Sequence, residues 1–195
     1  MGKIFCIMGK SSSGKDTLYK RLTEECKDAL FGIVPYTTRP IRAEETHGRE
    51  YFFTDAEGLK ELEEAGKVIE SRAYQTACGE WIYFTVNDGQ IDLAKRNYLV
   101  IATLESYTKI RNYFGGDFVV PIYVEVEDGL RLKRALDRER AQKEPKYAEL
   151  CRRFLADAED FSEEKLKDAG ISRRFVNESL ECAYREILTF IRELI

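Results

Sequence analysis

Histidine is almost missing: His47 is the only one in 195 residues. A single imidazole leaves little room for a His-based catalytic triad and excludes His-rich metal sites. The five cysteines (Cys6, Cys26, Cys78, Cys151 and Cys182) are odd in number, scattered, and have no CxxC spacing. They read as reduced thiols of a cytosolic protein rather than a disulfide framework or a zinc site. No apolar run approaches the ~20 residues of a membrane span. The apolar opening of "MGKIFCIMGK" gives way at once to a Gly-rich segment, so neither a membrane partner nor a signal peptide is expected. An excess of basic charge is lacking too. Lys and Arg number 31 against 35 Asp and Glu, for a net charge of −4. A nucleic-acid partner is therefore not expected, and any anionic ligand must be held by local basic clusters.

What is present is an ordinary globular composition, 44% hydrophobic and 34% charged, long enough for one domain with inserted pieces. Five apolar runs, "KIFCIM" (3–8), "FGIV" (31–34), "YLVIATL" (98–104), "FVVPIYVEV" (118–126) and "RRFVN" (173–177), alternate with helical patterns at 15–27, 105–114, 128–141, 147–168 and 179–194. In the last helix Leu180, Tyr184, Ile187, Leu188 and Ile191 recur at helical spacing and read as core. Near-continuous apolar strands between amphipathic helices predict an α/β fold, with a parallel five-stranded sheet covered by helices on both faces. From 35 to 97 the texture changes. "EYFFT", "KVIESRAY" and "EWIYFTV" read as antiparallel strands beside a helix at 55–65 that Thr54 or Asp55 could cap. The expected division is therefore a core of 1–34 and 98–195 with a small mixed subdomain, 35–97, inserted in it. The charged piece 137–150, containing Pro145, suits a mobile helical lid, with a solvated helical hairpin as the alternative on composition alone.

The stretch "MGKSSSGKDT" directly follows the first apolar strand and runs into a helix. Gly9, Gly14 and Lys15 stand where a phosphate-binding P-loop needs them. The glycines let the backbone curl, so that the N–H groups of Ser11, Ser12 and Ser13 can face phosphates. The helix N-terminus adds partial positive charge, and Lys15 reaches the outer phosphates. Asp16 stands where Ser or Thr is usual. A carboxylate is a legitimate ligand for Mg²⁺, so Asp16 is a candidate metal residue. The alternative makes Asp16 a first-turn residue with Thr17 in the hydroxyl role. Downstream, "YTTRPIRAEETHGREYFF" offers Arg39, Arg42 and Tyr51, two guanidinium forks and a phenol able to clamp a second phosphate.

At these motifs the chain resembles the guanylate kinase family over nearly its whole length. "YTTRPIRAEETHGREYFF" is similar to the family's TTRxPRxxExxGxxYxF segment, which implies that Arg39, Arg42 and Tyr51 hold the acceptor phosphate. By the same likeness "VIES" puts Glu70 on the residue that reads guanine, and "EWIYFTV" makes Tyr83 a phosphate ligand and Thr85 a base contact. "RFVNESLECAYREI" puts Asn177 beside adenine. The lid arginines fall at Arg138 or Arg140 and at Arg152 or Arg153, with Arg138 and Arg153 taken as the catalytic pair. The chain departs from the family where Pro35 replaces a base-reading Ser, and where "VIATLESY" (100–107) has Ala102 and Leu104 in place of two aspartates. Asp after the P-loop lysine also resembles a relative on the same fold, ribose 1,5-bisphosphate kinase.

The resemblance implies phosphoryl transfer from MgATP to a nucleoside monophosphate, GMP or dGMP, with ATP and Mg²⁺ as cofactors, in a cytoplasmic monomer or homodimer whose partners are small nucleotides. A different small phosphorylated acceptor, such as ribose 1,5-bisphosphate, is the alternative. A non-catalytic guanylate-kinase-like binding module is a third reading, disfavoured by the intact Lys15.

Overall fold

In the computed structural model, which describes residues 1–76 and 79–195, the first apolar run forms strand β1 (Ile4–Met8), buried at every position. Alternation sends its side chains into two different cores. Phe5 and Ile7 join Leu18 and Leu22 of helix α1 (Lys15–Glu25) and Ile187 and Ile191 of helix α7 (Leu180–Arg192). Ile4, Cys6 and Met8 join Tyr107 and Ile110 of helix α3 (Leu104–Phe114) and Leu166 of helix α6 (Glu163–Asp168). A strand covered on both faces can be apolar throughout, which is why these runs do not alternate in sequence. Within the α7 stripe Leu180 departs from expectation: it lies at the first turn and is 38% exposed.

The main sheet runs β2 (Leu30–Gly32), β7 (Asn97–Ile101), β1, β8 (Val119–Glu125), β9 (Arg174–Val176), parallel throughout. Ile4 stands opposite both Tyr98 and Val119. The C-terminal ends of the three central strands therefore share one edge, where ligands of open α/β sheets bind.

Between β2 and β7 the chain builds a second sheet from β3 (Tyr36–Thr37), β4 (Phe52–Phe53), β5 (Val68–Thr76) and β6 (Gly79–Val86), in the order β4-β3-β6-β5. Helix α2 (Ala56–Glu64) follows β4, and the Asp55 side chain caps it by accepting from Gly58 N at 2.9 Å. The expectation of an antiparallel set holds for β5/β6 but not for β4, which pairs parallel with the unanticipated β3; β3 is itself antiparallel to β6. The long loop 38–51 returns the chain in the same direction, as a parallel pair requires. Alternation again sorts the faces. Tyr36, Phe84 and Val86 pack with Leu59 of α2, while Thr37, Tyr83, Thr85, Glu70 and Arg72 share the opposite face by register. A bulge between Val68 and Glu70 re-aims the strand, so that Val68 points to the apolar side and Glu70 to the polar one.

Helix α4 (Asp128–Arg140) and helix α5 (Tyr147–Asp160) form a hairpin over the edge that carries the P-loop. The helix expected at 147–168 is broken. Phe161 turns into the core and stacks on Tyr123, with ring centroids 5.6 Å apart, and Ser162 caps a separate α6. The 137–150 segment comprises the last turn of α4, the connection, and the first turn of α5. Cys6, Cys26, Cys151 and Cys182 are free thiols; Cys78 lies outside the described residues. Burial, and then the charge of Glu70, pushes the Cys6 thiol up, so it stays protonated. Among the described residues no helix is long and apolar enough to cross a membrane.

Candidate active site

The loop between β1 and α1 has a backbone that its glycines make possible. Gly9 has φ 157°, and a Cβ there would lie 2.5 Å from the Val124 carbonyl oxygen; Gly14 has φ 87°, and a Cβ would lie 2.4 Å from Asn177 Nδ2. No L side chain fits at Gly14 without moving the loop or Asn177. Helix α1 begins on Gly14 without a capping side chain, whereas Thr103 caps α3, Glu127 caps α4 and Ser179 caps α7. Its first-turn N–H groups are left for an anion. Around them Ser12 Oγ, Ser13 Oγ and Asn177 Oδ1 are buried and lack a partner among the described residues. A phosphate chain would satisfy such a set of orphaned polar atoms, so these residues fit a nucleotide.

Lys15 Nζ stands 3.4 Å from Asp16 Oδ2, and the Asp16 side chain is 69% exposed. Among the described residues no group of three or more His, Cys, Asp or Glu could hold a metal by itself. One outward carboxylate fits Mg²⁺ shared with phosphate oxygens and water, since Mg²⁺ keeps several waters and takes few protein ligands. Thr17 is exposed on the following position. Asn177 is 2% exposed and braces the loop from below, its Nδ2 donating to Ser13 O at 2.7 Å.

Above the loop lies a cavity of about 410 Å³, whose walls include Ser11, Arg42, Arg131, Arg138, Arg153 and Phe154. It joins three parts of the chain: the phosphate loop, the α4–α5 hairpin and the Arg39–Tyr51 loop. Of the alternative lid arginines, Arg138 and Arg153 line it, whereas Arg152 is turned to Glu149 with two bonds of 2.8 and 2.7 Å. Arg153 donates to Ser11 Oγ at 3.0 Å. Two residues that the sequence reading missed hold the hairpin to the loop. Asp157 Oδ2 accepts from Ser11 N at 2.8 Å and from Arg131 Nη1 at 3.2 Å, and the Arg131 side chain is 1% exposed. The helical spacing of Arg131, Ala135 and Arg138 was a readable signal for that face; Asp157, 146 residues from Ser11, had none.

On the second sheet Arg39 is 3% exposed. Its fork is taken by Glu45, with Nη1 to Oε2 at 2.9 Å and Nη2 to Oε1 at 2.8 Å. Nη1 also donates to Pro40 O, and Nε donates to Tyr83 Oη at 3.2 Å. Four of the five guanidinium N–H groups are thus engaged within the chain. Glu45, another residue missed, is held down to about 2, first by Arg39 and then by the backbone of Arg42. Its Oε2 accepts from Arg42 N at 2.9 Å, which pins the loop so that the exposed Arg42 side chain faces the cavity. Tyr51 stacks edge-on against Tyr83 at 5.6 Å, and burial pushes its phenol up, keeping it a proton donor. His47 accepts from Phe53 N and packs on Phe52, a structural role.

Farther along the same face, Glu70 is 3% exposed and its carboxylate is occupied. Thr85 Oγ1 donates to Oε1 at 2.7 Å and Arg72 Nε to Oε2 at 3.0 Å. Arg72 was not anticipated, although its place two residues beyond Glu70 put it on the same strand face.

The loop, the parallel sheet and the basic cavity define a P-loop protein of the α/β class. The family model described as Guanylate kinase matches residues 1–88. The guanylate kinase of Nitrosomonas europaea is 28% identical over 200 residues, covering 98% of this chain and 90% of that protein. Protein PALS1 of Danio rerio is 29% identical over 192 residues; this chain spans only 26% of its length. The crystal structure of guanylate kinase from Anaplasma phagocytophilum has the same fold, with a TM-score of 0.67 at 22% identity, over 98% of this chain and 85% of that one. In sequence and in fold the chain is thus similar to guanylate kinases.

Proposed function

We propose that the protein is a nucleotide kinase that transfers the γ-phosphoryl group of ATP to the phosphate of a nucleoside monophosphate, with GMP or dGMP as the acceptor that the family relationship puts first. The observation that carries this reading is the cavity in which Ser11 of the P-loop meets Arg42, Arg138 and Arg153. An acceptor phosphate is already ionised and needs no general base, so the scarcity of histidine is no obstacle. Positioning and neutralisation of charge suffice.

In this mechanism Lys15 and the uncapped start of α1 hold the donor phosphates. Arg138 and Arg153 face the transferred group. Arg42, Tyr51 and Tyr83 orient the acceptor, and Arg39 sets Tyr83 and, through Glu45, Arg42. Mg²⁺ supplies neutralisation of phosphate charge when bound, with Asp16 as its protein ligand. The α4–α5 hairpin, acting as a lid, excludes water. A second acceptor class, a small sugar phosphate, is favoured by one specific group of residues: Pro35, Ala102 and Leu104 bring no base-reading polar group, and Glu70 is engaged by Arg72.

A coupled assay of ADP release with ATP and GMP, dGMP, AMP, UMP, CMP or ribose 1,5-bisphosphate tests the proposal. Stimulation by GMP or dGMP alone supports the first reading, and by the sugar bisphosphate alone the second. ATP binding without turnover on any acceptor overturns both in favour of a binding module.

A further inference from the structure

Glu70 and Arg72 form a pair whose two members differ in access: the Glu70 side chain is 0% exposed and that of Arg72 is 13%. Glu70 accepts from Thr85 at 2.7 Å and from Arg72 at 3.0 and 3.4 Å. Arg72 Nη1 donates in addition to Thr103 Oγ1 at 3.3 Å, the same hydroxyl that caps α3. A guanidinium carries five N–H donors. Among the described residues three are engaged, one each on Nε, Nη1 and Nη2, which leaves one N–H on each terminal nitrogen. With Thr103 on the inner hydrogen of Nη1, those two form a fork on the more accessible member of the pair. The flanking Ala102 and Leu104 are buried and add no carboxylate. Arg72 also stands opposite Tyr83 across β5 and β6, and Tyr83 is bonded to Arg39. One strand face thus runs from the acceptor-phosphate cluster to this fork.

A free carboxylate at this place would take N–H donors from a ligand. A neutral Glu–Arg pair with its guanidinium outermost takes acceptors instead, and a fork takes two adjacent ones. We propose that Arg72, rather than Glu70, contacts the end of the acceptor remote from its phosphate. The group read there is a pair of adjacent hydrogen-bond acceptors, either the O6/N7 edge of a 6-oxopurine or the oxygens of a distal phosphate. Glu70, with Thr85, is a positioning residue that fixes the fork. This deepens the proposed kinase function and rests on it for the placement of the acceptor on this face.

The test measures binding apart from turnover. Trp81, the only tryptophan, lies on β6 two residues from Tyr83, so its fluorescence reports ligands on this face. GMP, IMP, AMP, ribose 1,5-bisphosphate and ribose 5-phosphate are titrated, with ADP release followed in parallel. In the wild type, one of two margins is expected. Either GMP and IMP bind within about tenfold of each other and both at least about tenfold more tightly than AMP, or ribose 1,5-bisphosphate binds at least about tenfold more tightly than ribose 5-phosphate. The first identifies a 6-oxopurine and the second a distal phosphate. Arg72→Lys keeps a cation on Glu70 but loses the fork, and should shrink the margin about tenfold or more while AMP and ribose 5-phosphate bind as before. The double variant Glu70→Gln/Arg72→Met removes both charges together, leaves no buried carboxylate without its cation, and should lose the margin too.

A preference for GMP over IMP of more than about a hundredfold would mean that a carboxylate reads the exocyclic amine, and would overturn the proposal. So would a wild type with neither margin, or variants that weaken every ligand equally. A margin without ADP release sinks the kinase reading and leaves this one standing; ADP release without a margin does the reverse.

Discussion

The two halves of the candidate site are built on opposite plans. Around the P-loop the chain offers backbone, an uncapped helix and buried oxygens lacking partners. On the second sheet nearly every charged group is already paired within the chain: Arg39 with Glu45, and Arg72 with Glu70. The first half waits for its ligand to complete it. The second is rigid before the ligand arrives, and it recognises through the few donors left over. Mutations should therefore act differently on the two sides, in function alone at one and in function and stability together at the other.

The largest effect is expected at Lys15. Lys15→Met should lower phosphoryl transfer by about a hundredfold or more, the scale of losing a preorganised charge donor, with an unchanged melting curve, because Lys15 packs into no core. Single-turnover kinetics beside thermal unfolding check this, and transfer at the normal rate would remove Lys15 from the chemistry. On the acceptor side Arg42→Ala and Arg39→Ala should part company. Both should weaken acceptor use about tenfold to a hundredfold. Only Arg39→Ala should also destabilise the fold, by about 1–3 kcal/mol, because it strips Glu45 of its partner. Equal stability in the two variants would erase the contrast between the halves.

Gly14→Ala sharpens the comparison from the donor side. A methyl at φ 87° and 2.4 Å from Asn177 Nδ2 should cost about 1–3 kcal/mol of stability and weaken ATP binding while leaving acceptor binding alone, as paired titrations would show.

A smaller effect concerns acid. The Glu45 carboxyl is held down to about 2 by Arg39. Its stabilising contribution is therefore complete above the ordinary carboxylate range of about 4.3 and is lost as pH falls toward about 2. The unfolded chain binds the proton first, so stability should rise with pH across that window. In Glu45→Gln that part of the slope should be missing in denaturant titrations at stepped pH; an unchanged slope would mean that other carboxylates carry it.

The smallest effect is assigned to Asp16. Asp16→Asn should raise the Mg²⁺ concentration for half-maximal activity while metal-free nucleotide binds as well or better. Its influence on the helix should stay within about 1 kcal/mol. Superimposable Mg²⁺ titrations would make Asp16 a first-turn residue only.

Much of the donor half was legible because its signals are local. Gly9, Gly14 and Lys15 lie within one loop after one strand, and β1 declares its burial by being apolar throughout. The acceptor half was legible only in part. Two-residue strands such as β3 and β4 are too short to show a period, so the parallel pairing of Tyr36 with Phe52 could not be read. The break at Phe161–Ser162 was masked by a continuous helical pattern on both sides, although Ser162 followed by two glutamates is a helix-start signal. Arg39 and Glu70 were singled out as ligand-facing, but their in-chain partners Glu45 and Arg72 depend on how a loop folds back and where a bulge falls. Residue type shows what a group can bind, and only the fold shows how much of that capacity is already used.

The missing cap on α1 carries a thermodynamic consequence. A capping side chain is worth about 1 kcal/mol to a helix, and the chain forgoes it at the helix that follows its central strand. Whatever anion binds there finishes a secondary-structure element as well as occupying a site. Binding and folding are thereby linked: at a hundred times its dissociation constant such a ligand adds about 2.7 kcal/mol to the stability of the whole protein. The molecule's resistance to heat then becomes a readout of how much of that anion surrounds it.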